Sequence, residues 1–599
     1  MEKPYEPSKK ATEVVSRVIK RYDDMRTWRN DPRRCFDGRT LESYVNDNVD
    51  AWNGIVPDDI RSTKDEWQSL IVDNKTRGKI KAVVALVVAS RPYLGIIGEE
   101  QKWNKDAPMI KRIYDDTYKA EYGSYKLYLQ ALSALIKGTV IVEELFEKQS
   151  KKVKEITGVN LDTGKVSFSE KKVTDKGFCR SKIVPILNFY PNENYAEIKE
   201  DCIVVENLSM DRFANKYGSY ENAEYVKAGV SLHDVERMVY KTIEPDPTKL
   251  VQTIKYYNEI LDEFIILANG IWINAQDGES ICPIPYNHKR LPFTKMVHEL
   301  ADEEEFYGKA FPDLMAGEQE TINAILRMMI DQEVLSIHKP IVLGEGTEME
   351  SYQLYPGKTY KTTGDVTQIK ELGLTGASQS SFSLINFLEQ RADVNTSVDT
   401  AAQGVGGTTR RTAREVIVLD ENAKRMSGTF QKHLYKLLFD RAELRVPNIQ
   451  QFYIMPIGKT ELKDRDDQVV TTGSGDPIMR DKYREIATSI PGKGVKYFEI
   501  DPKALEGKFM IRYEEDFETP MTRSQRMQIA QAVLDESKQN PLLDADKATI
   551  EWLVGMGKDP EDLYIKPQPQ QAQPQPQPQP QAQAPVKPQP KTGLSLKIR

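Results

Sequence analysis

Apolar residues recur at helical spacing along much of the chain. Val14, Val15, Val18 and Ile19 share one side of the segment Ala11 to Tyr22, which predicts a helix. Residues 65–137 read as helical in pattern. Their clearest run, Lys126 to Ile136, carries Leu127, Leu129, Ala131, Leu132, Leu135 and Ile136. Gly138 stops that helix, and the β-branched Thr139 to Val142 predicts a strand. Residues 150–290 read as β-rich. Val166-Ser-Phe-Ser alternates, Ile203-Val204-Val205 is a buried-strand run, and Ser209 to Tyr217 interrupts as a helix. The strongest hairpin signal is Phe264 to Ile273. There Asn269-Gly270 supplies the positive φ that a type I′ turn needs between two apolar strands.

Beyond residue 310 the pattern changes. Ile322, Ile325, Leu326, Met329 and Ile330 follow i, i+3, i+4, i+7, i+8 and predict an amphipathic helix from Ala316 to Ser336, ended by Pro340. Ile341 to Leu372 is short and β-like, punctuated at Gly344, Gly346, Pro356-Gly357 and Gly364-Asp365. A second helix from about Ser380 to Asn395 carries Phe382, Ile385, Leu388 and Ala392. A Gly/Thr-rich loop, Val398 to Arg411, separates it from a long helix, Thr412 to Leu444. Phe452 to Met455 and Phe509 to Tyr513 read as strands, and Thr522 to Ser537 and Asp546 to Gly555 as helices. From Pro567 a Pro-Gln repeat has almost nothing to bury, which predicts a disordered tether with polyproline II bias. The whole is an α+β, multi-domain pattern.

Composition narrows the class. The 599 residues include 83 Lys+Arg against 90 Asp+Glu, a net charge of −7. That argues against a chain that holds nucleic acid mainly by bulk charge. The longest apolar run, Ala82 to Ala89, is far short of the roughly 20 residues a membrane span needs. Met1-Glu2-Lys3-Pro4 lacks a signal-peptide apolar core. The 4 cysteines are scattered without a CxxC, so no disulfide framework or structural zinc site is expected, and a reducing compartment fits best.

Catalytic patterns are incomplete. His298-Glu299 starts a zinc-protease helix motif, but Asp302 stands where the second His belongs. Gly404-Val-Gly-Gly and Pro491-Gly-Lys493-Gly lack the Lys-Ser/Thr ending of a phosphate loop. Glu303-Glu304-Glu305 reads as a solvated acidic run, and no G-x-S-x-G elbow occurs. No enzyme activity, metal or cofactor is therefore expected. Arg410 and Arg411, with Arg414 one turn on, have two readings. They face phosphate backbone, or they are surface cations opposing a helix dipole.

The order of parts is the informative feature. A mixed α/β region ends in the hairpin and His288-Lys-Arg-Leu-Pro292-Phe293. Then come the acidic stretch, Tyr307-Gly308 and the helix bearing Glu318-Gln-Glu-Thr-Ile-Asn323. A small β insert, a second helix, the Gly-rich loop and a helix opening Thr412-Ala413-Arg-Glu415 follow. Over residues 40–550 this resembles the portal protein of tailed bacteriophages.

The resemblance implies a portal-like wing over residues 1–309, a first stem helix over 310–336 and a small α/β clip over 337–375. It implies a second stem helix over 376–396 and a tunnel loop over 397–411. A long kinked wing helix and the rest of the wing would fill 412–520, with a helical crown over 521–566 and the disordered Pro-Gln tail over 567–599. The tunnel-loop residues would be Gln403, Gly404, Gly406, Gly407, Thr408, Arg410 and Arg411. The stem would pack through Ile322, Ile325, Met329, Ile330, Phe382, Ile385 and Leu388.

The implied function is a homo-oligomeric ring, usually of twelve subunits, at one capsid vertex of the virion, assembled in the host cytoplasm. Double-stranded DNA would pass through its channel in packaging and ejection. Major capsid and scaffolding protein, terminase, and then a tail or head-completion adaptor would be partners, with no membrane. Sliding DNA disfavours tight phosphate binding, which suits a net acidic chain with few basic positions at one loop. The alternative is another virion structural protein, such as a tail adaptor or minor capsid protein. It predicts no central channel and no helix–insert–helix stem.

Overall fold

The computed structural model describes residues 5–555 except 6, 34–37, 90–93, 148–149, 160–165, 175–176, 230–249, 339–340, 344, 347, 350–360, 365–366, 368, 372–375, 377, 397, 399–427, 462–478, 491–493, 514–522 and 539–544. The chain is mixed α+β, with long helices and several small antiparallel sheets. It divides into a large unit, Met1–Ser489 with Lys493–Thr522, and a small unit made of Ile490–Gly492 and the chain from Arg523. No helix among the described residues is long and apolar enough to cross a membrane.

The first helix, Lys9–Arg29, starts at Ser8, whose hydroxyl accepts from the Ala11 amide at 3.1 Å. Val14, Val18, Tyr22 and Met25 recur on one face and pack on a five-stranded sheet through Tyr190, Ile203, Val205, Ile254, Ile265, Leu267 and Trp272. Each such fully buried aliphatic side chain contributes about 1.5–3 kcal/mol. The sheet order is Ile271–Trp272, Glu263–Ala268, Leu250–Asn258, Asp201–Ser209, Phe189–Pro191. Its hairpin turns at Asn269 (φ 45°) and Gly270 (φ 81°), with Ile271 opposite Ala268. The Asn269 carboxamide oxygen also accepts from the Gln252 amide at 2.9 Å, fixing the turn to the next strand.

The larger core surrounds a three-stranded sheet, Phe293–Val297, Thr139–Glu147, Phe178–Val184. Val140, Ile141 and Val142 are buried on consecutive positions, so both faces of the central strand are covered. Helices Leu41–Asn53, Lys75–Ala89, Ala107–Ala120, Gly123–Lys137 and Gly428–Tyr453 supply that cover. Gly138 (φ 80°) ends the 123–137 helix as expected. A Cβ there would stand 2.1 Å from the Gly308 carbonyl oxygen. A Cβ on Gly308 would in turn stand 2.6 Å from the Glu299 oxygen. Two backbones therefore touch where the chain turns toward the 316–337 helix.

Three expectations change. Residues 65–137 are not helical throughout: Leu94–Gly98 is a strand paired with Phe509–Tyr513. That short apolar run gains ladder partners from far along the chain, which override local helix pattern. Phe452 and Tyr453 are not strand but the end of the Gly428–Tyr453 helix, where Phe452 stacks on Phe146 at 4.2 Å. The long helix also passes Leu444 and accommodates Pro447. Proline removes the bond to the carbonyl four residues back. That carbonyl, on Glu443, accepts instead from Arg290 Nη2 at 3.2 Å. The start expected for this helix, residues 412–427, lies outside the described residues, as does the Pro-Gln tail. In the C-terminal unit, Arg523–Ser537 and Ala545–Gly555 pack on each other.

Candidate functional site

The helices Ala316–Ile337 and Gln379–Thr396 run antiparallel. Asn395, at the end of the second, donates to Glu318, at the start of the first, at 2.8 Å. Between them lies the small β insert, whose described strands include Ile341–Leu343 paired with Ile369–Glu371. Ile322, Ile325, Met329 and Ile385 form the buried seam between the helices, with Leu326 and Leu388 packed at its edge. Ile330 is half-buried and outside that cluster. Phe382, expected in the stem packing, lies outside this seam and is 49% exposed. It lies three residues before Ile385, and the cluster takes only residues near the Ile385–Ala392 line of the helix. Met328, Ile337, Leu384, Phe387 and Val394 are also exposed. The pair thus covers one stripe of itself and leaves apolar side chains facing out.

A polar stripe runs along the first helix at every fourth residue: Gln319, Asn323, Arg327 and Asp331, all buried. Positions four apart share one helix face. This face grips the backbone of an extended segment that precedes the Lys75–Ala89 helix. Asp331 accepts from the Ser69 amide at 2.6 Å and from Lys64 Nζ at 2.8 Å. Arg327 Nε donates to the Ile71 carbonyl at 3.0 Å. Asn323 Oδ1 accepts from the Asp73 amide at 2.9 Å, and Gln319 Oε1 from the Lys75 amide at 3.1 Å. Gln319 Nε2 donates back to the Asp73 carbonyl at 2.6 Å. Segment and helix run in opposite directions, and the segment becomes a strap along the helix pair.

The far end of the pair is anchored by Lys79. Its buried ammonium donates to Asp393 at 2.6 Å, to the Thr396 hydroxyl at 3.0 Å and to the Val398 carbonyl at 2.8 Å. A cation at a helix C-terminus also matches the helix dipole. Val398 is the first described residue past that helix. The expected loop residues Gln403, Gly404, Gly406, Gly407, Thr408, Arg410 and Arg411 lie outside the described residues.

The 428–453 helix is locked to the core by charge. Arg441 and Arg445 are buried, and both reach Glu144 and Glu121. Arg441 Nη1 also donates to Gln130 at 3.1 Å. Burial alone would raise the Glu121 carboxyl; Arg445 and Arg441 overcome it and hold the group down at about 2. Arg445 is correspondingly held well above the ordinary guanidinium value.

Among the described residues, no group of three His, Cys, Asp or Glu side chains is arranged to hold a metal ion. His298 is buried beside Phe311 and Phe430, with Nδ1 3.1 Å from the Lys309 carbonyl. Burial pushes its imidazole down to about 4. A cleft of about 390 Å³ beside Arg290 and Glu443 mixes Lys199, Lys295 and Lys436 with Glu197, Glu259 and Asp440.

Sequence reasoning missed the strap, the Lys79 anchor and the buried arginines. The i, i+4 spacing of Gln319, Asn323, Arg327 and Asp331 is visible in the sequence, but its acceptors and donors are main-chain groups of a distant segment. Comparison with protein families finds no match to this sequence, and comparison with curated proteins finds none either.

Proposed function

We propose that this chain is a portal subunit of a tailed bacteriophage, forming a ring around a DNA channel at one capsid vertex. The observation that carries the reading is the antiparallel helix pair flanking a small β insert. The pair buries only a narrow seam and leaves Met328, Leu384, Phe387 and Val394 exposed, as helices expecting neighbours would. Two further features support it. The pair is tied to the α+β body at both ends, through the strap and through Lys79. The long helix that follows the Gly-rich segment is bolted into that body by Arg441 and Arg445. In this reading the chain does no chemistry, and a separate terminase supplies the energy of translocation.

The test is the solution mass of the purified, untagged chain, with negative-stain images of the same sample. A ring with a central hole is the expected result. A chain that stays monomeric when scaffolding and capsid protein are present overturns the portal reading in favour of a tail adaptor or minor capsid protein.

A further inference from the structure

We propose that the strap over residues 64–76 and the outward face of the 379–396 helix are the two halves of one contact between neighbouring copies of this chain. This rests on the ring reading above and names the surfaces that close the ring.

The strap is unusual in how it divides its groups. Its main chain from Ser69 to Lys75 is held by Gln319, Asn323, Arg327 and Asp331. Its large side chains are left outside: Trp67, Leu70 and Ile71 are 47%, 40% and 47% exposed. A backbone fixed in advance loses little further freedom when such side chains are covered. An exposed tryptophan, with Leu70 and Ile71 three and four positions on, is the kind of side chain that anchors an interface.

The second surface lies on the other helix. At about 100° per residue, Phe387 is turned roughly 200° from Ile385, and Val394 the same from Ala392. Ile385 and Ala392 are buried, so Phe387 and Val394 point away from the seam, and they are 54% and 74% exposed. The strap lies on the opposite flank, where its end at Lys75 meets Glu389 at 3.1 Å. Glu389 is itself about 160° from Phe387 around the helix at that spacing. One chain therefore presents two different apolar surfaces on opposite flanks of the helix pair. A head-to-tail ring requires that arrangement, because each subunit must offer a different patch to each neighbour.

Charge distinguishes the two surfaces. Asp65 and Glu66, both exposed, precede Trp67 on the strap. Arg391, exposed and 3.9 Å from a Glu318 carboxylate oxygen, sits between Phe387 and Val394 in sequence. Acid beside an apolar anchor on one copy meets a guanidinium between apolar residues on the next. The same pairing opposes strap-to-strap contact through like charge.

The test uses the full chain and a short bis-maleimide cross-linker. A chain carrying both Leu70→Cys and Phe387→Cys should give a covalent ladder climbing to the full ring. Each single variant should give no more than the unaltered chain, and an equal mixture of the two singles should stop at dimers. As a second measurement, Phe387→Asp should weaken self-association at least about tenfold by sedimentation, with an unchanged far-UV circular dichroism spectrum. Rings that form normally but give no ladder overturn this contact while leaving the ring reading in place. An unaltered chain that never self-associates, even with scaffolding protein, overturns both.

Discussion

Arg441 Nε donates to Glu144 Oε1 at 2.6 Å, with both side chains buried. Glu144 stands on the central strand of the three-stranded sheet, and Arg441 on the long helix. Removing the carboxylate leaves two guanidinium groups in the core with one acid between them. Glu144→Ala should therefore cost about 3–5 kcal/mol, the range for breaking a buried pair. Lys289→Ala, which loses a pair to Asp262 from a largely exposed lysine, should cost about 0–1 kcal/mol. Urea unfolding of the two variants checks the contrast; equal losses would contradict it.

The same cluster and His298 set the response to acid. Glu121 is held at about 2, below its ordinary 4.5, so its contribution is complete above about 4.5 and is lost as pH falls toward 2. His298 is held at about 4, below 6.5, so the unfolded chain takes up a proton that the folded chain refuses. Stability should fall from pH 6.5 to 4 by about 1.4 kcal/mol per pH unit for this histidine, then further as Glu121 titrates. Both effects have the same sign. Urea midpoints measured between pH 8 and 4 should drop, and His298→Gln should flatten the upper part of the fall. A level profile down to pH 4.5 would contradict this.

Lys79 donates to three acceptors at the end of the 379–396 helix. Lys79→Met keeps most of the stem and removes the ammonium. The loss should be about 1–3 kcal/mol for acceptors left without their donor. The sharper readout is local: amide exchange over Ala392 to Val398 should speed up more than in the core strand at Val140 to Val142. Uniform exchange rates across both segments would mean the lysine does not hold this end.

If the Gly-rich segment narrows a channel, its small residues matter for what passes rather than for assembly. Replacing Gly404, Gly406 and Gly407 by valine should leave ring formation intact and reduce packaged DNA several-fold. Packaging assayed by nuclease protection decides this, and undiminished protection would remove the loop from the channel.

Much of the architecture was legible because its signals are local. Asn269-Gly270 needs only its own φ values and flanking strands, and the turn is where that dipeptide placed it. The helices at 316–337 and 379–396 followed from apolar spacing to within one or two residues. Phe382 shows the limit of such spacing. A periodic apolar residue faces inward only if a partner surface extends to it, and here the seam is too narrow. The strand at 94–98 and the helical fate of Phe452 depended on partners remote in sequence. The long helix was expected to end at Leu444, yet it runs on through Pro447, where Arg290 supplies the donor that Glu443 lacks. The strap was illegible for a different reason. From Ser69 to Lys75 its bonds to the helix stripe are made by main-chain atoms, which every residue carries, so that stretch bears little side-chain signature of being held.

Gln319, Asn323, Arg327 and Asp331 hold three amides and two carbonyls at Ser69, Ile71, Asp73 and Lys75. None of those bonds depends on the identity of Trp67, Leu70 or Ile71. The grip is indifferent to what the strap displays, so the exposed side chains can change while their mounting stays constant.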